Sequence, residues 1–380
     1  MPGALAQALS EALAAQAAEA DQPPTEEQVT GAPATEPEPS SGQDPALRTL
    51  YLMEHGAVLG KESERFVVRK QGQVVQEVPA IKVDQILIFG NSQITTQAMI
   101  HCLLEKIPIV LLSGKGRYYG VVDSFDTDPV LLQRDQFLKS ADRSFCLHIA
   151  KAMVTGKLGN MRLILRRYAR KRDVPALQNT DSVLNRYAAQ IQAAETLDQV
   201  RGYEGIVTKT YFEGMRSLLP SSWGFTRRAR QPPTDPVNSL LSYGYTLLFY
   251  NVYSLLRARG LNPHVGFLHP LRAGHPALVS DLMEEFRPLV VDTLVLSMLL
   301  NERLGLGDFV LPQVEGAPCL LSDTARKLFI HVFERKMNAA VIHPGTGLRL
   351  DYRRCIDEQV QILARVIRGA RDGYMPMVLR

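Results

Sequence analysis

A change of hydrophobic period near residue 129 restricts the fold more than any other feature of the chain. Upstream, TLYLMEHGAVLGKESERFVVRKQGQVVQEVPA breaks at Gly56, Gly60 and Gly72 into short runs, the pattern of strands joined by turns. IKVDQILIFG continues as a further strand, TTQAMIHCLLEKI has helical spacing, IPIVLLSG is the apolar run of a buried strand, and YYGVVDSF closes the region. Downstream, apolar residues recur at helical spacing in LLQRDQFLKSADRSFCLHIAKAMVTGKLGNMRLILRRYARKR, in VLNRYAAQIQAAETLDQVRGYEGIVTKTYFEGMRSLL and in the segments that follow. Side chains repeat every two residues on a strand and every 3.6 on a helix, so the two stretches need separate architectures. The expectation is an α+β two-domain protein, with a small β-rich domain over residues 47–128 and a larger all-α domain over 129–380. Pro236 and Gly260 mark a start and a stop within the helical part, and no internal repeat is visible.

The chain has 380 residues, long enough for two cores. Residues 1–45 hold eight acidic residues and no Lys, Arg or aromatic residue, and they run through QPPTEEQVTGAPATEPEPSSGQDP. Such a composition buries too little apolar surface to offset ordering entropy, which predicts a disordered tail or linker over 1–46. The net charge of +4 therefore conceals +12 on residues 46–380, a lure for polyanions though not proof of one. No apolar run is long enough to span a bilayer and the N-terminus lacks the pattern of a secretory signal. The scattered Cys102, Cys146, Cys319 and Cys355 form no metal or disulfide framework, so a reduced cytoplasm is expected.

Three segments carry polar residues with chemical potential. The tract Lys157–Arg172 has seven basic and no acidic residues, with Arg162, Arg166, Arg167, Arg170 and Lys171 interleaved among apolar ones. It is either a phosphate-gripping face or a merely solvated one, and Arg227, Arg228 and Arg230 form a smaller cluster of the same kind. In LNPHVGFLHPLRAGHPALVSDLMEEFRP, a loop bearing His264, His269 and His275 leads into a helix with Asp281 and Glu284 on one face. A histidine beside two carboxylates suits Mg²⁺ or Mn²⁺, yet Ser280 and Asp281 as simple helix caps explain the spacing as well. Glu204 is flanked by Gly202 and Gly205, which permits close approach of a ligand or backbone and is equally consistent with a helix start. GKGRYYG at 114–120 fits neither a dinucleotide nor a P-loop pattern, and His269-Pro-Leu-Arg272 lacks the nearby tyrosine that a tyrosine recombinase requires.

In order along the chain, LYLMEHGAVLG, KLGN, GYEGIVTKTYF, DPVNSLLSYGYTLL, GLNPHVGFLH and PALVSDLMEEFRP together resemble the universal CRISPR-associated integrase, the larger subunit of the spacer-acquisition complex. The resemblance runs from about residue 48 to the final helices. It implies an N-terminal β-domain, a C-terminal helical domain and a homodimer formed through the β-domains. It also implies a divalent metal, Mg²⁺ or Mn²⁺, held by a glutamate, a histidine and an acidic residue. Those positions fall on Glu204, His269 and Glu284, with Asp281 as the neighbour of the last. Family members carry either Asp or Glu at that last position. The acidic tail departs from the family pattern, which begins near Leu50.

The chemistry implied is attack of a DNA 3′-hydroxyl on a phosphodiester at a CRISPR repeat, or hydrolysis when water attacks instead. The implied partners are double-stranded DNA (protospacer and repeat), a second copy of the chain, a small ferredoxin-like CRISPR-associated subunit and, through fusion or association, a reverse transcriptase. A plain metal-dependent nuclease and a non-catalytic DNA-binding scaffold of the same fold are the alternatives. Catalysis is expected to involve Glu204, His269, Glu284 and Asp281. DNA contact is expected from Arg162, Arg166, Arg167, Arg170, Lys171, Arg227, Arg228 and Arg230.

Overall fold

The computed structural model describes residues 49–114, 118–122, 124, 130–172, 174–229, 232–314 and 316–379. The expected tail over 1–46 lies outside the described residues. The chain divides into two compact units, the first ending at Ser124.

The first unit contains two four-stranded sheets and one helix. Its elements are β1 (Thr49–Leu52), β2 (Val58–Glu62), β3 (Arg65–Lys70), β4 (Gln73–Pro79), β5 (Gln85–Phe89), β6 (Gln93–Ile94), α1 (Thr96–Leu104), β7 (Ile109–Leu112) and β8 (Tyr118–Val122). The sheet orders are β1-β5-β7-β8 and β4-β3-β2-β6. Periodicity marks out the strands but not their partners. β1 precedes the β2–β4 meander in sequence, yet it pairs in parallel with β5, Leu50 opposite Ile86 and Leu52 opposite Ile88. The β3–β4 hairpin turns through Gln71 and Gly72, both at positive φ (51° and 81°), as a two-residue hairpin turn whose twist matches its strands requires. Leu59, Phe66, Ile86 and Ile109 are fully buried in this unit's core.

The second unit is built mainly of helices: α2 (Val130–Ala141), α3 (Arg143–Arg172), α4 (Pro175–Ala193), α5 (Leu197–Arg216), α6 (Pro236–Ala258), α7 (Ala277–Met283), α8 (Thr293–Leu300), α9 (Asp323–Met337) and α10 (Tyr352–Ile367). The expected helical domain is present, and two local features modify it. Short antiparallel ribbons interrupt it, β9 (Phe309–Val310) with β10 (Leu320–Leu321) and β11 (Ala340–Ile342) with β12 (Arg349–Asp351). The stretch from Pro276 is not one helix either, because a π-helical turn spans Arg287–Asp292 and carries Pro288 in its first turn. Proline lacks the N–H of a regular helical ladder, and a widened turn accommodates it.

Helix α3 crosses this unit with one inward stripe: Ile149, Met153, Val154, Lys157, Leu158, Met161, Ile164 and Leu165 are all buried. Gly156 and Gly159 of this helix have no room for a larger side chain. A Cβ there would stand 2.6 Å from Pro376 Cβ and 2.9 Å from Val378 Cγ1, so the bare helix surface is the groove in which the C-terminal segment lies. Asn160 fastens that segment: its Nδ2 donates to Met377 O (2.7 Å) and Glu285 O (2.9 Å), and its Oδ1 accepts from Leu379 N (3.1 Å). The KLGN motif is thus a docking strip for the chain's end. Among the described residues no helix is long and apolar enough to cross a membrane. Asn160→Ala should lower unfolding free energy by about 2–4 kcal/mol in urea titration, since it leaves the buried carbonyls of Glu285 and Met377 without their donor.

Candidate active site

Glu204 lies in the second turn of α5, whose start is fixed by a capping box: Thr196 accepts from Gln199 N (3.2 Å), and the Gln199 side chain accepts from the Thr196 backbone. The glutamate therefore sits inside a helix, not at its start. Its Oε1 accepts from Thr208 Oγ1, one turn on, at 2.9 Å. Facing it is Lys157 from α3, only 1% exposed, whose ammonium is paired with Glu204 Oε1 and lies 2.7 Å from Glu284 Oε2. Glu284 follows directly after α7 and is itself 1% exposed; its other oxygen is 2.9 Å from Arg287 Nη1.

The buried Glu284, the half-buried Glu204 and two cations form a charge-balanced group. Burial pushes the Glu284 carboxyl up, but Arg287 and Lys157 outweigh it and hold the group down at about 2. Burial likewise raises Glu204, and the Lys157 ammonium with the two hydrogen bonds carries it below the usual carboxylate range. Both groups are ionised at neutral pH. The Lys157 ammonium thus bridges Glu204 and Glu284.

Asp281, fully buried, does a different job. Its Oδ2 accepts from Phe267 N (2.6 Å) and Leu268 N (2.9 Å), and its Oδ1 from His269 N (2.9 Å) and the His269 ring at Nδ1 (2.7 Å). Both oxygens are spent on the loop. The hydrogen bond to Nδ1 selects the tautomer protonated there and leaves Nε2 as the lone-pair nitrogen. A Cβ on Gly266 would meet Asp281 Oδ2 at 2.6 Å, which explains glycine at that point of GFLH. Two further clamps hold the loop. Arg201, one turn before Glu204, donates to Leu268 O (2.7 Å), and Gln136 of α2 donates to Val265 O (2.7 Å).

The third acid of the same segment is separate again. Glu285 accepts from Tyr374 (2.7 Å), Gln359 (3.0 Å) and Met377 N (2.7 Å), and burial pushes its carboxyl up to about 8. Beyond Lys157 a small cavity of about 10 Å³ is lined by Thr208, Arg228, Tyr245, Arg287 and Asp292 among others. Arg228 and Arg287 stand 5.4 and 5.1 Å from the centre of the Tyr245 ring, and Tyr245 donates to Asp292 Oδ1 at 2.5 Å.

A family profile described as CRISPR associated protein Cas1 matches residues 50–335. The chain belongs to the Cas1 family. The CRISPR-associated endonuclease Cas1 3 of Thermus thermophilus is 34% identical over 333 residues, covering 87% of this chain and 97% of that protein. Among solved structures, a chain of a Cas6-RT-Cas1–Cas2 complex superposes with a TM-score of 0.73 at 24% identity, covering 91% of this chain and 37% of that one. A casposase bound to its integration product gives a TM-score of 0.73 at 20% identity, over 87% and 92% of the two chains. These superpositions establish a shared fold.

The residues expected from the Cas1 resemblance are dispersed in sequence, and the structure brings Glu204 and Glu284 together on one ammonium, with the His269 loop fastened to the Glu204 helix through Arg201. Their oxygen and nitrogen donors suit a hard divalent cation, and the ammonium held between the carboxylates shows that a positive charge fits at this point. As they stand the carboxylates close on Lys157. Among the described residues no three His, Cys, Asp or Glu side chains form an ion's ligand shell. His264 is exposed, and His275 packs beside His269, ring centres 6.1 Å apart.

Of the basic residues, Arg167, Arg170 and Lys171 are exposed on α3. Arg162 and Arg166 both pair with Asp181 of α4, at 2.8 and 2.9 Å. Arg227 is exposed, Arg228 donates to Asn238 Oδ1 (2.8 Å) and Ser242 Oγ (3.0 Å), and Arg230 lies outside the described residues. Sequence reasoning missed Lys157, Thr208, Arg287 and Tyr245. Lys157 was legible in principle, since it interrupts an otherwise apolar stripe of α3 at positions 153, 154, 158, 161, 164 and 165.

Because Asp281 satisfies three backbone N–H groups and one imidazole, Asp281→Ala should destabilise the protein by on the order of 4 kcal/mol in denaturant unfolding. The His269 ring, observed by ¹⁵N NMR, should then lose its single Nδ1-protonated tautomer; an unchanged tautomer would show that Asp281 does not orient it.

Proposed function

We propose that this chain is a divalent-metal-dependent DNA integrase and endonuclease that inserts new spacer DNA into a CRISPR array. One observation carries the reading: Glu204 and Glu284 reach a single cation from segments eighty residues apart, and their ionised state is maintained in a buried setting. The Thermus relative's name as an endonuclease and the casposase's integration product support the same chemistry.

Glu204, Glu284 and Nε2 of His269 would hold Mg²⁺ or Mn²⁺. Bound there, the metal supplies Lewis-acid stabilisation of charge on the attacked phosphate. By accepting from Nδ1, Asp281 orients the ring and, in the neutral imidazole, leaves Nε2 as the lone-pair nitrogen. Arg287 and Arg228, flanking Tyr245, contribute positive charge beside the carboxylates. In the reaction the 3′-hydroxyl oxygen of an incoming fragment bonds to phosphorus at the repeat edge, and the bond from phosphorus to the old 3′-oxygen breaks. The proton lost by the first oxygen is regained by the second, so one ester replaces another without ATP. With water as the nucleophile the same site hydrolyses DNA.

The partners in this reading are protospacer and repeat duplexes, a second copy of the chain and a small ferredoxin-like subunit. The Cas6-RT-Cas1–Cas2 assembly supports a reverse transcriptase as a further associate.

Glu204→Gln, Glu284→Gln and His269→Ala should each reduce strand joining by about 10²-fold or more while circular dichroism stays native. Wild-type joining by folded variants would sink the site assignment. Cleavage without joining by the wild-type protein would leave a plain nuclease, and duplex binding with neither would leave a scaffold.

The exposed Arg167 and Arg170 are the cleanest reporters of the DNA path, because Arg162 and Arg166 also serve the fold through Asp181. Reversing both to Glu should weaken binding to unrelated duplexes alike and flatten the slope of log affinity against log salt by about two units. An unaltered slope in a folded variant would make this face merely solvated.

A further inference from the structure

Lys157 is an unusual occupant for its position. It is a flexible four-carbon cation with two partners at one end and a small polar cavity beside it. That cavity also touches Asp292, which is 1% exposed, accepts from Tyr245 at Oδ1 and feels the Lys157 and Arg287 charges from across it. A buried carboxylate is costly unless cations or donors face it. Two carboxylates thus stand within the lysine's surroundings: Glu284 at its present seat, 2.7 Å away, and Asp292 across the cavity.

We propose that Lys157 is a built-in counter-cation with two seats: it closes Glu204 and Glu284 when no metal is bound and swings to Asp292 when a divalent cation takes its place. The inference rests on the metal reading above and concerns how the site is kept ready for the ion. Three arguments support it. Without a cation the two carboxylates would repel each other in a low-dielectric interior, and the ammonium removes that cost. A divalent ion at the same carboxylates would repel the ammonium, so the two cannot share the seat. The lysine stem, anchored on α3 and lining the cavity with Met161, needs only side-chain rotation to turn from Glu284 towards Asp292, because Asp292 lines that same cavity. Lys157 is a positioning residue in this scheme. The groups facing it are Glu204, Thr208, Glu284, Arg287 and Asp292, with Arg228 and Tyr245 completing the cavity.

The experiment is calorimetric titration of Mn²⁺ into the full-length wild type and into Lys157→Met and Asp292→Asn, with thermal unfolding recorded with and without the ion. Methionine keeps the apolar stem and removes the competitor. The Lys157→Met protein should be less stable than wild type without metal, bind Mn²⁺ with about tenfold or more lower Kd, and show a larger Mn²⁺-induced rise in Tm, because the closed state no longer reduces the competent fraction. Asp292→Asn should bind Mn²⁺ several-fold more weakly, about the loss expected from removing the charge at the second seat. Unchanged or weaker Mn²⁺ binding by folded Lys157→Met overturns the proposal. Should that variant fail to fold, Asp292→Asn decides: unchanged affinity overturns the two-seat scheme and weakened affinity supports it. Wild type that binds no Mn²⁺ sinks the metal reading itself, and the inference with it, whereas wild-type binding with indifferent variants sinks the inference alone.

Discussion

The ammonium of Lys157 between Glu204 and Glu284 is the interaction on which the arrangement of the helical unit turns. Ions buried in protein are tolerated only in pairs or networks, and removing one member costs several kcal/mol because its partner is left unpaired. The group here joins α3, α5 and the end of α7, so any slippage of these helices would separate charges in a poor dielectric. The charge balance, two carboxylates against Lys157 and Arg287, both permits the burial and fixes the helix register.

Around that group, one short segment distributes three acids to three tasks. Asp281 gathers the 267–269 loop by its backbone and orients His269, Glu284 faces the cations, and Glu285 receives the C-terminal segment. The adjacent glutamates show how far environment separates like groups: cations beside Glu284 hold it at about 2, while burial without a cation pushes Glu285 up to about 8. Glu284 is therefore a permanent anion near neutrality, suited to cation binding. Glu285, largely protonated there, is suited to closing a core. The π-helical turn that follows turns Asp292 towards Tyr245 and the cavity, a placement that an unbroken helix would shift.

The loop around His269 depends on the same economy of polar groups. Its three consecutive amides converge on Asp281, its Leu268 carbonyl is taken by Arg201, and Gln136 spans to Asn262 and Val265. Glycine at 266 lets the loop lie against α7, whose Ala277 a Cβ would meet at 2.9 Å. A flexible-looking run of Pro, Gly and His thereby becomes a rigid holder for one imidazole, the preorganisation that catalysis by positioned groups needs.

By itself the sequence determined the division into a β-rich and a helical unit, because the period of apolar residues is a local property that packing seldom overrides over long segments. It also determined the limits of α6, at Pro236 and Gly260, since caps and positive φ act through neighbouring atoms. The ordered motifs pointed to Glu204, His269 and Glu284. What only the tertiary structure decided is non-local. The parallel pairing of β1 with β5 depends on strands far apart in the chain. The π-helical turn resolves a conflict between Pro288 and the packing on both sides. The separate tasks of Asp281, Glu284 and Glu285 are set by partners up to 127 residues away, and Lys157 was hidden for the same reason. In sequence it opens a basic tract, where solvent is the default setting for a lysine. Only the approach of two carboxylates from other helices turns that charge inward.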